Sequence, residues 1–115
     1  GWLRLKKSFP LNLNGMYIPQ CCFKTGYYKN SGALAITICR RTTLGVLPII
    51  PLTINLGPMK NHCAAIKDIT GPGNKLTEQM QNIGLVKKKL TTITLGYTSY
   101  PICEIDEQTL TKYAA

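Results

Sequence analysis

In the first half of the chain apolar and polar positions alternate; in the second half the period changes. "LNLNGMYI" (Leu11 to Ile18) is alternating, the mark of a strand with one face in a core and the other in water. "LRL" (Leu3 to Leu5) repeats the pattern upstream, and Asn14-Gly15 is a strong tight-turn pair, so a first hairpin is predicted here. Leu34, Ile36 and Ile38 in "LAITIC" fall on one strand face, as do Leu52, Ile54 and Leu56 in "LTINL". The polar stretch from Arg40 to Gly45 reads as the turn between these two strands, and so short a link predicts antiparallel pairing.

After Leu56, Gly57-Pro58 and "TGPGN" (70–74) mark loops. Leu76, Met80 and Ile83 then recur at four- and three-residue spacing. That spacing predicts an amphipathic helix over about 75–83, capped by Asn74 and ended by Gly84. "LTTITL" and "SYPICEI" return to strand character, and Asp106 is placed to cap a short C-terminal helix, with Ile105 and Leu110 spaced as a hydrophobic staple. The fold class expected is α+β: a mostly antiparallel β-sheet with one amphipathic helix and a short terminal one. No internal repeat or linker composition interrupts it, so residues 1–115 read as a single domain.

Length and composition agree with that picture. A chain of 115 residues with 44% hydrophobic content can bury a core of its own. The longest apolar run, "LGVLPIIPL" (Leu44 to Leu52), is broken by Pro48 and Pro51, and falls short of the roughly 18–20 residues that span a bilayer. No membrane partner is expected. "GWLRLKKSF" has charge but no apolar signal core.

Cys21, Cys22, Cys39, Cys63 and Cys103 are an odd set, so they cannot all pair within one chain. Cys21 and Cys22 sit in "MYIPQCCFK", a strand-like run in which neighbours point to opposite faces, a poor arrangement for bonding each other or gripping one ion. The intervals to Cys39 and Cys63 do not suit a chemokine-like framework. Cys21, Cys22, His62 and Cys63 supply zinc donors, but neither pair has the two-to-four-residue gap of a tetrahedral site. The expectation is five buried thiols acting as small hydrophobes in a reducing, cytoplasmic setting, with no metal and no cofactor.

"YKNSGALAI" (Tyr28 to Ile36), "PLTINL" (Pro51 to Leu56) and "YTSYPICEIDEQTLTKY" (Tyr97 to Tyr113), in that order, resemble a family of small bacterial proteins, domain of unknown function 4313, found mainly on conjugative elements and phages of gut bacteria. The likeness runs from about Tyr27 to the C-terminus. It implies a cytoplasmic bacterial protein of a mobile element and carries over no catalytic residue. This chain is more basic and richer in cysteine than the family pattern.

Catalytic chemistry has little to draw on. His62 is the only histidine, with Asp68 as the one acid nearby in sequence. A nucleophile would need His62 to meet Cys21 or Cys22 across a sheet. "GPGNK" (Gly71 to Lys75) leads into a helix and could offer N–H groups to an anion, but it lacks phosphate-loop spacing. The chain is read as a non-enzymatic protein.

Charge says more. Residues 1–67 hold nine Lys or Arg and no acid, whereas five Lys and five acids balance from Asp68 onward, so the whole +9 excess lies in the first part. Such a field attracts polyanions. Arg40-Arg41, Lys24 and Lys29, with Lys87-Lys88-Lys89 placed before a strand, are the candidate contacts for nucleic acid or a nucleoprotein, and Tyr17, Tyr27 and Tyr28 are candidates to stack on unpaired bases. Two other readings stay open at this level: a protein-binding inhibitor of a host defence system, and a secreted basic cytokine- or toxin-like protein. An exposed edge strand could also serve a homodimer.

Overall fold

The computed structural model describes residues 7–68 and 75–115. Two antiparallel sheets and two short helices give the expected α+β architecture. The first sheet has the order β1 (Phe9–Leu13), β2 (Met16–Tyr27), β3 (Leu34–Thr42), β4 (Gly45–Pro51). The second has the order β5 (Thr53–Ile54), β6 (Cys63–Ile66), β8 (Thr98–Ile105), β7 (Val86–Leu95), with α1 (Leu76–Asn82) before β7 and α2 (Glu107–Lys112) after β8.

The first hairpin turns at Asn14-Gly15, where both residues take positive φ (51° and 81°), the conformation of a tight turn matched to strand twist. Its partner strand is Phe9–Leu13; Leu3 to Leu5 lie outside the described residues. Phe9 pairs with Cys21 but Leu11 with Ile18, so β2 carries one extra residue, and Gln20 absorbs it at φ 59°. That bulge keeps both Ile18 and Cys21 in the core.

The second predicted pair is different. "LAITIC" lies in β3, but its neighbour is the proline-containing run, not "LTINL". Arg40, Arg41 and Thr42 continue β3, and the turn is only Thr43-Leu44. Proline lacks an N–H, yet β4 is an outer strand of its sheet, where an unmade hydrogen bond is tolerated. The chain then crosses between sheets at Leu52, whose N–H donates to the Ile36 carbonyl (2.9 Å). Only Thr53–Ile54 of "LTINL" remains strand. Because the chain changes sheet there, Leu52 enters the main core while Ile54 and Leu56 pack on a second cluster with Cys63, Ala65 and Ile102.

The main core draws on both sheets and α1: Phe9, Leu11, Phe23, Ile36 and Ile38 from one side; Ala64, Ile66, Cys103 and Ile105 from the other; Leu76 and Met80 from the helix. Helix α1 follows the predicted span within a residue at each end, and Gly84 sits past its end at φ 88°. Its N-cap residue is Lys75, which makes no side-chain cap; Asn74 lies outside the described residues. Asp68 does the capping work, accepting from Thr77 N–H (3.4 Å) and Thr77 Oγ1 (3.1 Å). Asp106 caps α2 as its spacing predicts, accepting from the Thr109 N–H at 3.0 Å and the Thr109 hydroxyl at 2.6 Å, and these two bonds hold its carboxyl below the usual range.

The C-terminus closes the fold. Phe23 N–H donates to the Tyr113 carbonyl (2.8 Å) and Ala115 N–H to the Phe23 carbonyl (2.9 Å), while the Tyr113 ring stands edge-on to Phe9 and Phe23.

Candidate nucleic-acid interface

Strand alternation decides where each cation points. In β2, Cys21 and Phe23 face the core, so Cys22 and Lys24 leave the opposite face, where Lys24 is exposed and Cys22 is covered. In β3, Ile36 and Ile38 face the core, which puts Thr37, Cys39 and Arg41 on the outer side with Lys24 opposite Thr37. Arg40 shares the core-side parity of Ile38, but at its end of the strand the core has run out and the side chain is exposed. Arg40 and Arg41 therefore leave β3 on opposite faces, instead of projecting together from a turn.

Arg41 is also engaged. Its Nε donates to Ser8 Oγ (3.1 Å), and Nη2 donates to the carbonyls of Lys7 (3.2 Å) and Ala114 (2.8 Å). To reach residues before β1 from β3, the side chain must cross β2 on its outer face. It clasps the approach to β1 against the C-terminal tail. Arg41→Ala is expected to destabilise the protein by about 2 kcal/mol in urea unfolding, because charged hydrogen bonds are the stronger ones and two carbonyls lose their donor. Arg41→Lys should recover less than half, since an ammonium cannot fork to three acceptors. A loss indistinguishable from zero would mean the clasp carries no stability.

Lys29 is exposed in the turn between β2 and β3, at the other end of the hairpin from Arg40. The three consecutive lysines do not precede β7 but lie inside it, in the other sheet. Register shifts make Lys87 and Lys88 share Glu104, with Lys87 Nζ 3.7 Å from Glu104 Oε1. Lys89 points to the other side, into a cavity it lines with Asp68 and Glu78. The lysine triad thus sits among the acids, while β1 to β4 carry none.

The tyrosines do not form one platform. Tyr17 and Tyr27 are exposed at opposite ends of β2, and Tyr28 is half-buried with its hydroxyl 3.0 Å from Thr53 Oγ1.

A feature without a signal in the sequence lies at the start of α2. His62 takes φ 64°, and its Nδ1 is 2.8 Å from Glu107 Oε1, where Nδ1–H donates to the carboxylate from a half-exposed ring. Two cavities, of about 190 and 320 Å³, meet at this pair, the first walled by Thr25, Tyr27, Leu34 and Leu110. His62 and Cys63 diverge despite adjacency, since Cys63 belongs to the second cluster. Cys21 donates its thiol to the Ile18 carbonyl at 3.5 Å. The arrangement is a surface histidine oriented by a carboxylate.

Set against protein-family models, curated proteins and solved structures, the chain matches nothing in any of the three.

Proposed function

We propose that the protein is a non-enzymatic binding module that contacts nucleic acid, free or in a nucleoprotein, through the exposed cations of the β2–β3 hairpin in the first sheet. The resemblance to proteins of bacterial mobile elements is compatible with that role. One observation carries it: the charged side chains of β1 to β4 are all cationic, whereas the five acids sit on or beside α1, β8 and α2. A polyanion approaching the first sheet meets no acid on its strands, whereas one approaching the second meets Glu104, Asp106 and Glu107.

Lys24 and Arg40 are the exposed cations on strands of the first sheet, with Lys29 at its turn. Lys24 leaves the hairpin on its outer face and Arg40, near the same end, on the opposite one, so the two would meet phosphates of a strand that wraps around that end of the hairpin, a contact that positions the strand without reading its bases. The test is fluorescence anisotropy with a labelled single-stranded and a labelled duplex oligonucleotide over a salt series. With about three phosphates neutralised, log affinity should fall with log salt at a slope of about −2 to −3. The double change Lys24→Ala, Arg40→Ala should weaken binding roughly tenfold or more and flatten that slope by about two contacts' worth. Replacing Lys88 and Lys89 by alanine should matter less. Equal losses from the two pairs, or no binding at low salt, would refute the assignment to this sheet.

A further inference from the structure

The outer strands of the two sheets are β1, β4, β5 and β7. Three of them are guarded. The Gln79 side-chain amide of α1 donates to the Asn12 carbonyl and accepts from the Asn12 N–H, both at 2.8 Å, occupying β1 as another strand would. In β4, Pro48 and Pro51 offer no N–H, and the extra residue Ile49 breaks the register. The third, β5, is two residues long.

Strand β7 differs. It runs ten residues. Its first half holds Lys87, Lys88 and Lys89 and two register shifts, features that discourage pairing with another strand. Its second half, "TTITL" (Thr91 to Leu95), has no charge, proline or glycine and pairs regularly with β8 from Thr91 opposite Ile102 to Leu95 opposite Thr98.

The turn shows which backbone groups face out. Gly96-Tyr97 is a two-residue connection with Gly96 at φ 60°. Residues flanking such a turn form a hydrogen-bonded pair, so Leu95 and Ile93 bond toward β8, while the N–H and C=O of Thr94 and Thr92 point to the open edge. The close approach of Thr94 Oγ1 and Ser99 Oγ (2.8 Å) fits a pair that is not backbone-bonded. Among the described residues no backbone group bonds Thr92 or Thr94 from that edge.

We propose that Thr91–Leu95 is a self-association edge: two copies of the chain pair antiparallel through this segment, about a two-fold axis at Ile93, and join their second sheets into one. A second copy fits for two reasons. The segment is nearly symmetric about Ile93, so Thr92 of each copy meets Thr94 of the other as a doubly hydrogen-bonded pair, and Ile93 meets its counterpart. In that register each lysine triad lies beyond the other copy's hairpin turn, so the two triads do not face each other. The pairing also covers apolar surface: Ile93 and Leu95 share the outer face with Ile102, Leu95 is 55% exposed, and an open cavity of about 300 Å³ lined by Met59, Leu90, Ile93 and Ile102 runs alongside. An acidic peptide would be drawn to the lysine half, not to this uncharged one.

Sedimentation velocity from low to high micromolar concentration tests this. Each copy carries +9, so salt should promote the dimer by screening repulsion, the opposite of its effect on a polyanion complex. Ile93→Lys sets two ammonium groups face to face at the axis, and Thr94→Pro removes an outward donor at an edge position that tolerates proline. Both should sediment as monomers with unchanged circular dichroism and unchanged oligonucleotide binding by Lys24 and Arg40. If Ile93→Lys fails to fold, Thr94→Pro gives the answer. A wild-type protein that stays monomeric at the highest concentration and salt overturns the proposal, as does a dimer that survives both substitutions.

Discussion

Replacing Phe23 by alanine is expected to remove about 3–5 kcal/mol of stability, the range for truncating a buried aromatic ring. Phe23 is 1% exposed, its ring centroid is 4.7 Å from that of Phe9 and 6.4 Å from that of Tyr113, and it sits where the first sheet meets the C-terminal tail. Such a loss is a large share of the roughly 5–15 kcal/mol that separates a domain of this size from its unfolded state. A fall in melting temperature on the order of 10–20 °C should accompany it. The backbone bonds from Phe23 to Tyr113 and Ala115 do not need the ring, so the tail can still pair, but Phe9 and Tyr113 lose the face they pack on. Tyr113→Ala, at a half-buried ring, should destabilise less. If urea unfolding places Phe23→Ala within about 1 kcal/mol of wild type, the ring cluster does not anchor the tail as described.

The second large effect is a loss of stability in alkali. Burial pushes the thiols of Cys21 and Cys103 up from 9.0 to about 11, with the neighbouring Cys22 adding to the rise at Cys21 and Lys89 opposing it at Cys103. Burial likewise raises Cys39. A thiol raised in the folded state keeps its proton there after the unfolded chain has released its own. Its contribution is whole below pH 9.0 and disappears as pH climbs through about 11. Two such groups amount to roughly 2–3 kcal/mol each at the top of that range. Unfolding free energies at pH 8, 9, 10 and 11 should therefore fall steeply for the wild type and less for Cys21→Ala, Cys103→Ala, even though that double variant starts lower at pH 8. Parallel curves would assign the alkaline loss to lysine and tyrosine instead. The same burial predicts five thiols that resist a thiol reagent in the native protein and all react once it is unfolded, since each is free and buried.

The lysine triad and the arginine pair show how far local pattern reaches. Both read as clusters in the sequence because neighbours in a chain are close. In a strand, neighbours point to opposite faces, so Arg40 and Arg41 separate, and only Arg40 is left for a ligand. Lys87 to Lys89 are divided by a register shift that no periodicity reveals. The pairing of His62 with Glu107 and the capping of α1 by Asp68 join residues that only the folded chain brings within reach.

By itself the sequence determined what depends on short-range chemistry: the Asn14-Gly15 turn, the strands around Ile36, Ile93 and Ile102, the helix through Leu76 and Met80, the Asp106 cap, and the separation of charge between the two parts of the chain. Tertiary structure alone decided the partners. It set β4, prolines included, beside β3, because an edge position does not require their missing N–H groups. It turned "LTINL" into a crossing between sheets, because Leu52 and Ile54 found separate cores. It also left the uncharged half of β7 at the edge of its sheet, without a strand partner among the described residues, a property no residue carries until its neighbours are placed.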